Sequence, residues 1–255
     1  MNTNFLGFDV TLGQCKPENI INKDAACPFC DRKHLTNVID SAGDLLLLEN
    51  KYNVLENSYQ TVLIESRACD ADIPQYSAEH MLELLQFGVK HWFRMLNSGE
   101  YKTVLFFKNH GPLSGGTIRH PHMQIIGLKS LDDHLMYDPA EFQGLTIHET
   151  NGVELNIASN PRVGFSEFNI LTNDNGKLPF IAHYIQIAVD YIMQHFNKRC
   201  QSYNLFFYLA GGLIRVKIMP RFATSPLFIG YNIRLRCNNA ALIAAEFHRL
   251  YFPKG

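Results

Sequence analysis

Two glycine pairs, Gly115-Gly116 and Gly211-Gly212, punctuate this chain in the same local setting. Each follows a run of β-branched and aromatic residues, Thr103 to Phe107 and Leu205 to Leu209, and each leads into a second extended run, ending near Leu128 and Met219. Upstream, Met81, Leu84, Leu85, Trp92 and Leu96, and again Ile181, Tyr184, Ile185, Ala188 and Ile192, recur at helical spacing. The order helix, strand, glycine pair, strand therefore occurs twice, roughly one hundred residues apart, as a diverged internal duplication would give. This restricts the fold to α+β, with halves at 1–140 and 141–255 and a break between Leu131 and Glu154, where Asp132, Asp133, Asp138 and Pro139 cluster.

Around this skeleton the opening to Asp31 reads as an irregular arm, and Asp44 to Glu49 and Thr61 to Glu65 as short strands. Ser77 is placed to cap a helix running to about Asn97, Leu227 to Ile233 reads as extended, and Ala240 to Tyr251 as helical. With 46% hydrophobic and 18% charged residues the chain can bury a substantial core. A net charge of −1 and scattered basic residues argue against nucleic acid as a partner. No stretch approaches the roughly 20 apolar residues that span a bilayer, and Met1 to Leu12 lacks the pattern of a signal peptide. A cytoplasmic, reducing location is the expectation, so the six cysteines read as free thiols or metal ligands. Cys15, Cys200 and Cys237 read as packing residues.

Chemistry concentrates in Gly115-Gly116-Thr117-Ile118-Arg119-His120-Pro121-His122-Met123-Gln124. On a strand, His120, His122 and Gln124 would share a face. Neutral imidazole is a competent nucleophile near pH 7, provided its second nitrogen is protonated and held, as by a backbone carbonyl. Gln124 can donate to a phosphate oxygen, glycine-rich backbone can approach a polyphosphate closely, and Ser114 and Thr117 add hydroxyl donors. This is equipment for phosphoryl or nucleotidyl transfer through a phosphohistidine. Cys27-Pro28-Phe29-Cys30 has a spacing that suits zinc, a redox pair or incidental thiols, and by itself does not choose among them. Lys108, Arg119, Arg215 and Lys217 read as surface cations.

Together these residues resemble the histidine-triad superfamily, in the branch of galactose-1-phosphate uridylyltransferase and its phosphorylase relatives. The resemblance is carried by the Cys27–Cys30 knuckle, by Glu49-Asn50-Lys51-Tyr52, by Glu65-Ser66-Arg67-Ala68-Cys69, by Phe107-Lys108-Asn109-His110-Gly111, and by His120-Pro121-His122-Met123-Gln124. It implies two tandem histidine-triad-like half-domains, antiparallel sheets with packed helices. It implies one structural Zn2+ per chain on Cys27, Cys30, Cys69 and His120, with Cys69 standing where the family has histidine. It implies covalent catalysis by His122 with phosphate contact by Gln124. Asn50, Lys51 and Tyr52 would hold the nucleoside, and Asn109, Gly111, Ser114, Gly115, Gly116 and Thr117 the phosphates. In the second half the family's His-x-His is replaced by Arg215-Val216-Lys217, which implies loss of a second metal site. Pro226 to Asn232 keeps Gly230 and Tyr231 but lacks the family's lysine and glutamate, so galactose 1-phosphate does not follow as acceptor.

The expected activity is nucleotidyl transfer or phosphorolysis. A nucleotide or nucleotide sugar would be substrate, phosphate or a sugar phosphate the acceptor, and the relatives imply a homodimer. Water as acceptor, or nucleotide binding without turnover, are the competing expectations.

Overall fold

The structure, a computed structural model, describes residues 5–131 and 137–253. The chain divides into two compact units, one built from the residues up to Asp72 with Glu83–Tyr137, the other from Ile73–Leu82 with Asp138 onward.

In the first unit a short helix α1 (Val10–Gln14) precedes strands β1 (Val38–Ala42), β2 (Leu45–Glu49) and β3 (Ser58–Ile64). Helix α2 (Ala78–Leu96) follows, then β4 (Thr103–His110) and β5 (His122–Leu128). The strands lie in the order β1-β2-β3-β5-β4, all neighbours antiparallel. As predicted, Ser77 opens α2, its hydroxyl accepting the His80 N–H at 3.1 Å. The apolar stripe of α2 covers one sheet face, where Trp92 donates to the Val104 carbonyl at 3.0 Å and packs on Phe106. Because neighbours across a ladder share a face, Phe106, Ile125, Leu63, Met123 and Lys108 point toward α2. Leu48, Val62, Gln124 and Phe107 point the other way, and this second face carries the candidate site.

The second unit contains β6 (Gly144–Thr150), β7 (Val153–Ala158), β8 (Gly164–Phe165), β9 (Phe168–Thr172), β10 (Tyr203–Ala210), β11 (Leu213–Pro220) and β12 (Leu235–Arg236). Its helices are α3 (Leu178–Asp190), α4 (Pro226–Tyr231) and α5 (Ala240–Tyr251). The main strands run β6-β7-β9-β11-β10, the same order as in the first unit, again antiparallel. Gly211 and Gly212 make the β10–β11 turn with φ of 59° and 78°, a region open to glycine. Helix α3 packs through Ile181, Tyr184, Ile185 and Ala188, and Phe247 of α5 meets Tyr191 at a ring separation of 4.2 Å. The α+β expectation, antiparallel sheets with packed helices, is what is observed.

Four details differ from the expectations. Residues 226–231 are helical, because Ser225 accepts the Leu227 N–H and Pro226 suits a helix start. The stretch read as a break is structured from Asp138, which accepts the Ala140 N–H at 2.9 Å, and it includes β6; Asp132 and Asp133 lie outside the described residues. Lys108 and Lys217 are buried rather than solvated. Cys15 is exposed, while Cys200 is buried as expected. Among the described residues no helix is long and apolar enough to cross a membrane.

Candidate active site

Strand β5 begins at His122, so His120 lies just ahead of it instead of alternating along it. Pro121 between them has no N–H to give a ladder. The two imidazoles consequently take different surroundings. His120 is fully buried; its Nε2 donates to the Ser66 carbonyl at 2.9 Å, which leaves Nδ1 as the lone-pair nitrogen. That Nδ1 sits 3.7 Å from Cys27 Sγ and 3.5 Å from Cys30 Sγ. With Cys69 Sγ added, the four donor atoms lie within 4.8 Å of one another. Tetrahedral zinc, at about 2.3 Å from sulfur and 2.0 Å from nitrogen, sets its donors roughly 3.5–3.8 Å apart.

The thiols also behave as a cluster short of positive charge. Burial raises Cys27, but hydrogen bonds from His120 and from the backbone outweigh it and bring the thiol down to about 6. Cys30 is pushed up to about 12 by burial and by its two sulfur neighbours. Burial likewise raises Cys69. Three thiolates cannot coexist here without a cation among them, and three sulfurs with one imidazole are donors that can hold a metal ion.

His122 is buried in the other sense. Its Nδ1 donates to the His120 carbonyl at 2.7 Å. A carbonyl only accepts, so Nδ1 carries the proton and Nε2 keeps the lone pair. Burial, with the charge of Lys108 acting in the same direction, lowers this imidazole to about 4, so the ring is neutral at pH 7. The Phe29 ring packs edge-on at 5.4 Å and restricts its tilt.

A cleft of about 680 Å³ opens over this face of the sheet. Asn50, Lys51, Tyr52, Gly115, Gly116, Thr117, His122 and Gln124 all line it. Asn50 Oδ1 accepts the Tyr52 N–H at 2.9 Å, a local turn that presents the three residues as a unit. Asn109, Gly111 and Ser114 are not among the lining residues. They support the loop from behind: the Ser114 hydroxyl donates to the Gly111 carbonyl at 2.7 Å and accepts the Gly116 N–H at 3.3 Å. A Cβ on Gly116 would stand 3.3 Å from Asn109 Cβ, so the loop lies tight against Asn109.

Sequence reasoning missed the apolar floor and the arm. Phe29 and Leu35 pack on the buried trio Leu48, Val62 and Ile64, giving the cleft a flat apolar bed. Lys16 and Pro17 line the cleft too, and the arm that carries them is pinned through Asn19. Asn19 N–H donates to the Thr117 carbonyl at 3.0 Å, and its side-chain oxygen accepts the Arg119 N–H at 2.7 Å. The signal available in sequence was the apolar alternation of β2 and β3, whose outward rows could have been assigned to a ligand face.

Behind the site lies a buried ion network. Lys108 Nζ is 2.6 Å from Glu65 Oε1 and 3.3 Å from Asp72 Oδ1, which is itself 3.3 Å from His110 Nδ1.

Residues 8–131 match the N-terminal domain, and residues 134–252 the C-terminal domain, of a family described as a domain of unknown function, DUF4931. A crystal structure of a DUF4931 family protein from Bacillus cereus ATCC 10987 is 40% identical, with a TM-score of 0.78, over 85% of this chain and 100% of that one. An ADP-glucose phosphorylase from Arabidopsis thaliana, solved with bound ADP-glucose, shares 14% identity and a TM-score of 0.72, over 94% of this chain and 92% of its own. A uridylyltransferase structure shares 14% identity and a TM-score of 0.70, over 89% and 93%. At such identity the last two share the fold. A comparison with curated proteins finds no match. With the fold of the uridylyltransferase-like proteins and both its halves matched, the chain belongs to the DUF4931 family.

Proposed function

We propose that the protein is a nucleotidyltransferase or phosphorylase acting on a nucleoside diphosphate compound, such as a nucleotide sugar, through a nucleotidyl-histidine. The observation that carries this reading is the fixed tautomer of His122, a neutral ring lining a cleft with its Nε2 lone pair uncommitted to the Nδ1 bond. The nucleoside lies on the apolar bed, beside Asn50, Lys51 and Tyr52. The phosphates lie along Gly115 to Thr117, whose loop Asn109, Gly111 and Ser114 brace. Nε2 of His122 attacks the α-phosphorus, and the bond to the bridging oxygen breaks, so the distal phosphate or sugar phosphate departs with that oxygen. Gln124 donates to a non-bridging oxygen as charge develops. An oxygen of inorganic phosphate or a sugar phosphate then attacks the same phosphorus, and His122 is released unchanged.

Zn2+ belongs to the proposal as a structural ion, one per chain. With Cys27, Cys30, Cys69 and His120 filling all four positions it would tie the knuckle to the segment that carries His122. The halves 1–140, catalytic, and 141–255, diverged, and a homodimer complete the reading. Nucleoside diphosphate sugars labelled in the α-phosphate test it. Label should reach the wild-type protein and leave on addition of phosphate or sugar phosphate. Release of nucleoside monophosphate without any acceptor would make it a hydrolase, binding without labelling a nucleotide-binding protein, and full turnover by His122→Gly would rule out both enzyme readings.

A further inference from the structure

The second unit repeats the strand order of the first, yet the face equivalent to the cleft floor is filled. On this unit, His148 donates to or accepts from the Tyr184 hydroxyl of α3 at 2.7 Å, and so marks the helix-covered face. Asn156, Asn169, Lys217 and Phe206 are partners across the ladders and lie on the opposite face. Here Lys217 is 0% exposed. Its Nζ donates to Asn169 Oδ1 at 2.8 Å, to the Glu141 carbonyl at 2.9 Å and to Glu167 Oε2 at 3.2 Å. The Glu167 carboxylate also accepts the N–H groups of Arg162 and Val163, and the Glu141 carboxylate is held by Arg162 Nε at 2.8 Å. Two carboxylates, one ammonium and one guanidinium make a closed, neutral set.

The resemblance places a metal-binding His-x-His at this strand, and the residues present do not fit a metal. Arg215 and Lys217 carry fixed positive charge and no lone pair to offer, and Arg215 is engaged with the Thr172 carbonyl at 2.8 Å. The oxygens that surround Lys217 form a cage of the kind that takes a cation. We propose that the Lys217 ammonium is the resident cation of the second unit, supplied by the chain itself in place of a bound ion, and that it seals the face that is a cleft in the first unit. Burial disfavours this ammonium and the Glu167 charge opposes that, as for a cation held by its cage. The second unit then requires no metal, and each chain carries a single cleft and a single ion.

Thermal denaturation of Lys217→Ala and Lys217→Met tests this. Removing one partner of a buried pair should lower the midpoint by roughly 6–20 °C. Ethylammonium chloride should restore at least half of the loss in Lys217→Ala, which leaves room for it, and none in Lys217→Met, which does not. Sodium chloride at equal ionic strength should restore neither. A Lys217→Met protein as stable as wild type, or equal recovery with sodium, overturns the proposal, as does a second equivalent of metal in the wild-type chain. If the single variants do not fold, Lys217→Met/Glu167→Gln, which removes both charges, must fold; its failure overturns the proposal as well.

Discussion

Gly115 adopts φ of +86° with nothing within 4 Å of the Cβ it lacks, so Gly115→Ala perturbs the backbone and nothing else. An alanine in the left-handed region costs about 1–2 kcal/mol. The same change stiffens the unfolded chain and returns about 0.4–1 kcal/mol. The net loss is therefore about 0.5–1 kcal/mol, a midpoint shift of roughly 1–4 °C in a chain of this size. Gly43 provides the control: φ is +56°, space is equally open, and it lies in the β1–β2 turn, outside the cleft lining. The two variants should thus be destabilised alike in thermal scans. Only Gly115→Ala should weaken nucleotide binding, because only Gly115 lies in the loop assigned to the phosphates; a tenfold rise in Kd by isothermal titration corresponds to about 1.4 kcal/mol of lost loop geometry. If Gly43→Ala weakened binding as much, or Gly115→Ala left it unchanged while showing the stability loss, the assignment of this loop would be refuted.

Three other outcomes follow from the same coordinates. Elemental analysis should find about one zinc per chain, retained by Cys69→His and lost by Cys69→Ala, since the cluster needs a fourth donor and not a sulfur in particular. Lys108→Met should cost about 3–5 kcal/mol in chemical denaturation, because it strands the fully buried Glu65; Lys108→Met/Glu65→Gln should recover part of it, and a single-variant loss below about 1 kcal/mol would contradict the buried pair. Burial lowers His91 and His148, so the folded chain resists protons that the unfolded chain takes up near pH 6.5. Their contribution is complete above that pH and is lost as pH falls below it, so the midpoint should drop between pH 7.5 and 5.5, less steeply in His91→Gln.

What the sequence disclosed and what it hid have physical causes. Helices α2 and α5 were readable because each has an apolar stripe long enough to declare its period, and α2 has Ser77 at its start. Helix α4 was not, since six residues cannot show a helical period and Leu227, Phe228 and Ile229 in a row resemble a strand. Strands β6, β7 and β9 escaped because Asn156 and Asn169 stand at buried positions where alternation requires apolar residues. Lys108 and Lys217 were taken for surface cations because their counter-charges lie 43 and 50 residues away in sequence. The nucleophile and the metal cluster could be named in advance because His120, His122 and Gln124 stand in one short segment and Cys27 and Cys30 in another. Their division of labour, with His120 off the strand and Nδ1 turned to sulfur, depended on Pro121 and on the carbonyls of Ser66 and His120. The apolar bed of the cleft draws Phe29, Leu35, Leu48 and Val62 from separate segments, and no local pattern brings these together.

The most direct measurement is the intact mass of the protein after brief mixing with a nucleotide sugar in the absence of acceptor, followed by peptide mapping. A nucleoside monophosphate adduct on the peptide containing His122, acid-labile and absent from His122→Asn, is the predicted result. An adduct on any other residue, or turnover that continues while no adduct ever forms, would contradict the account.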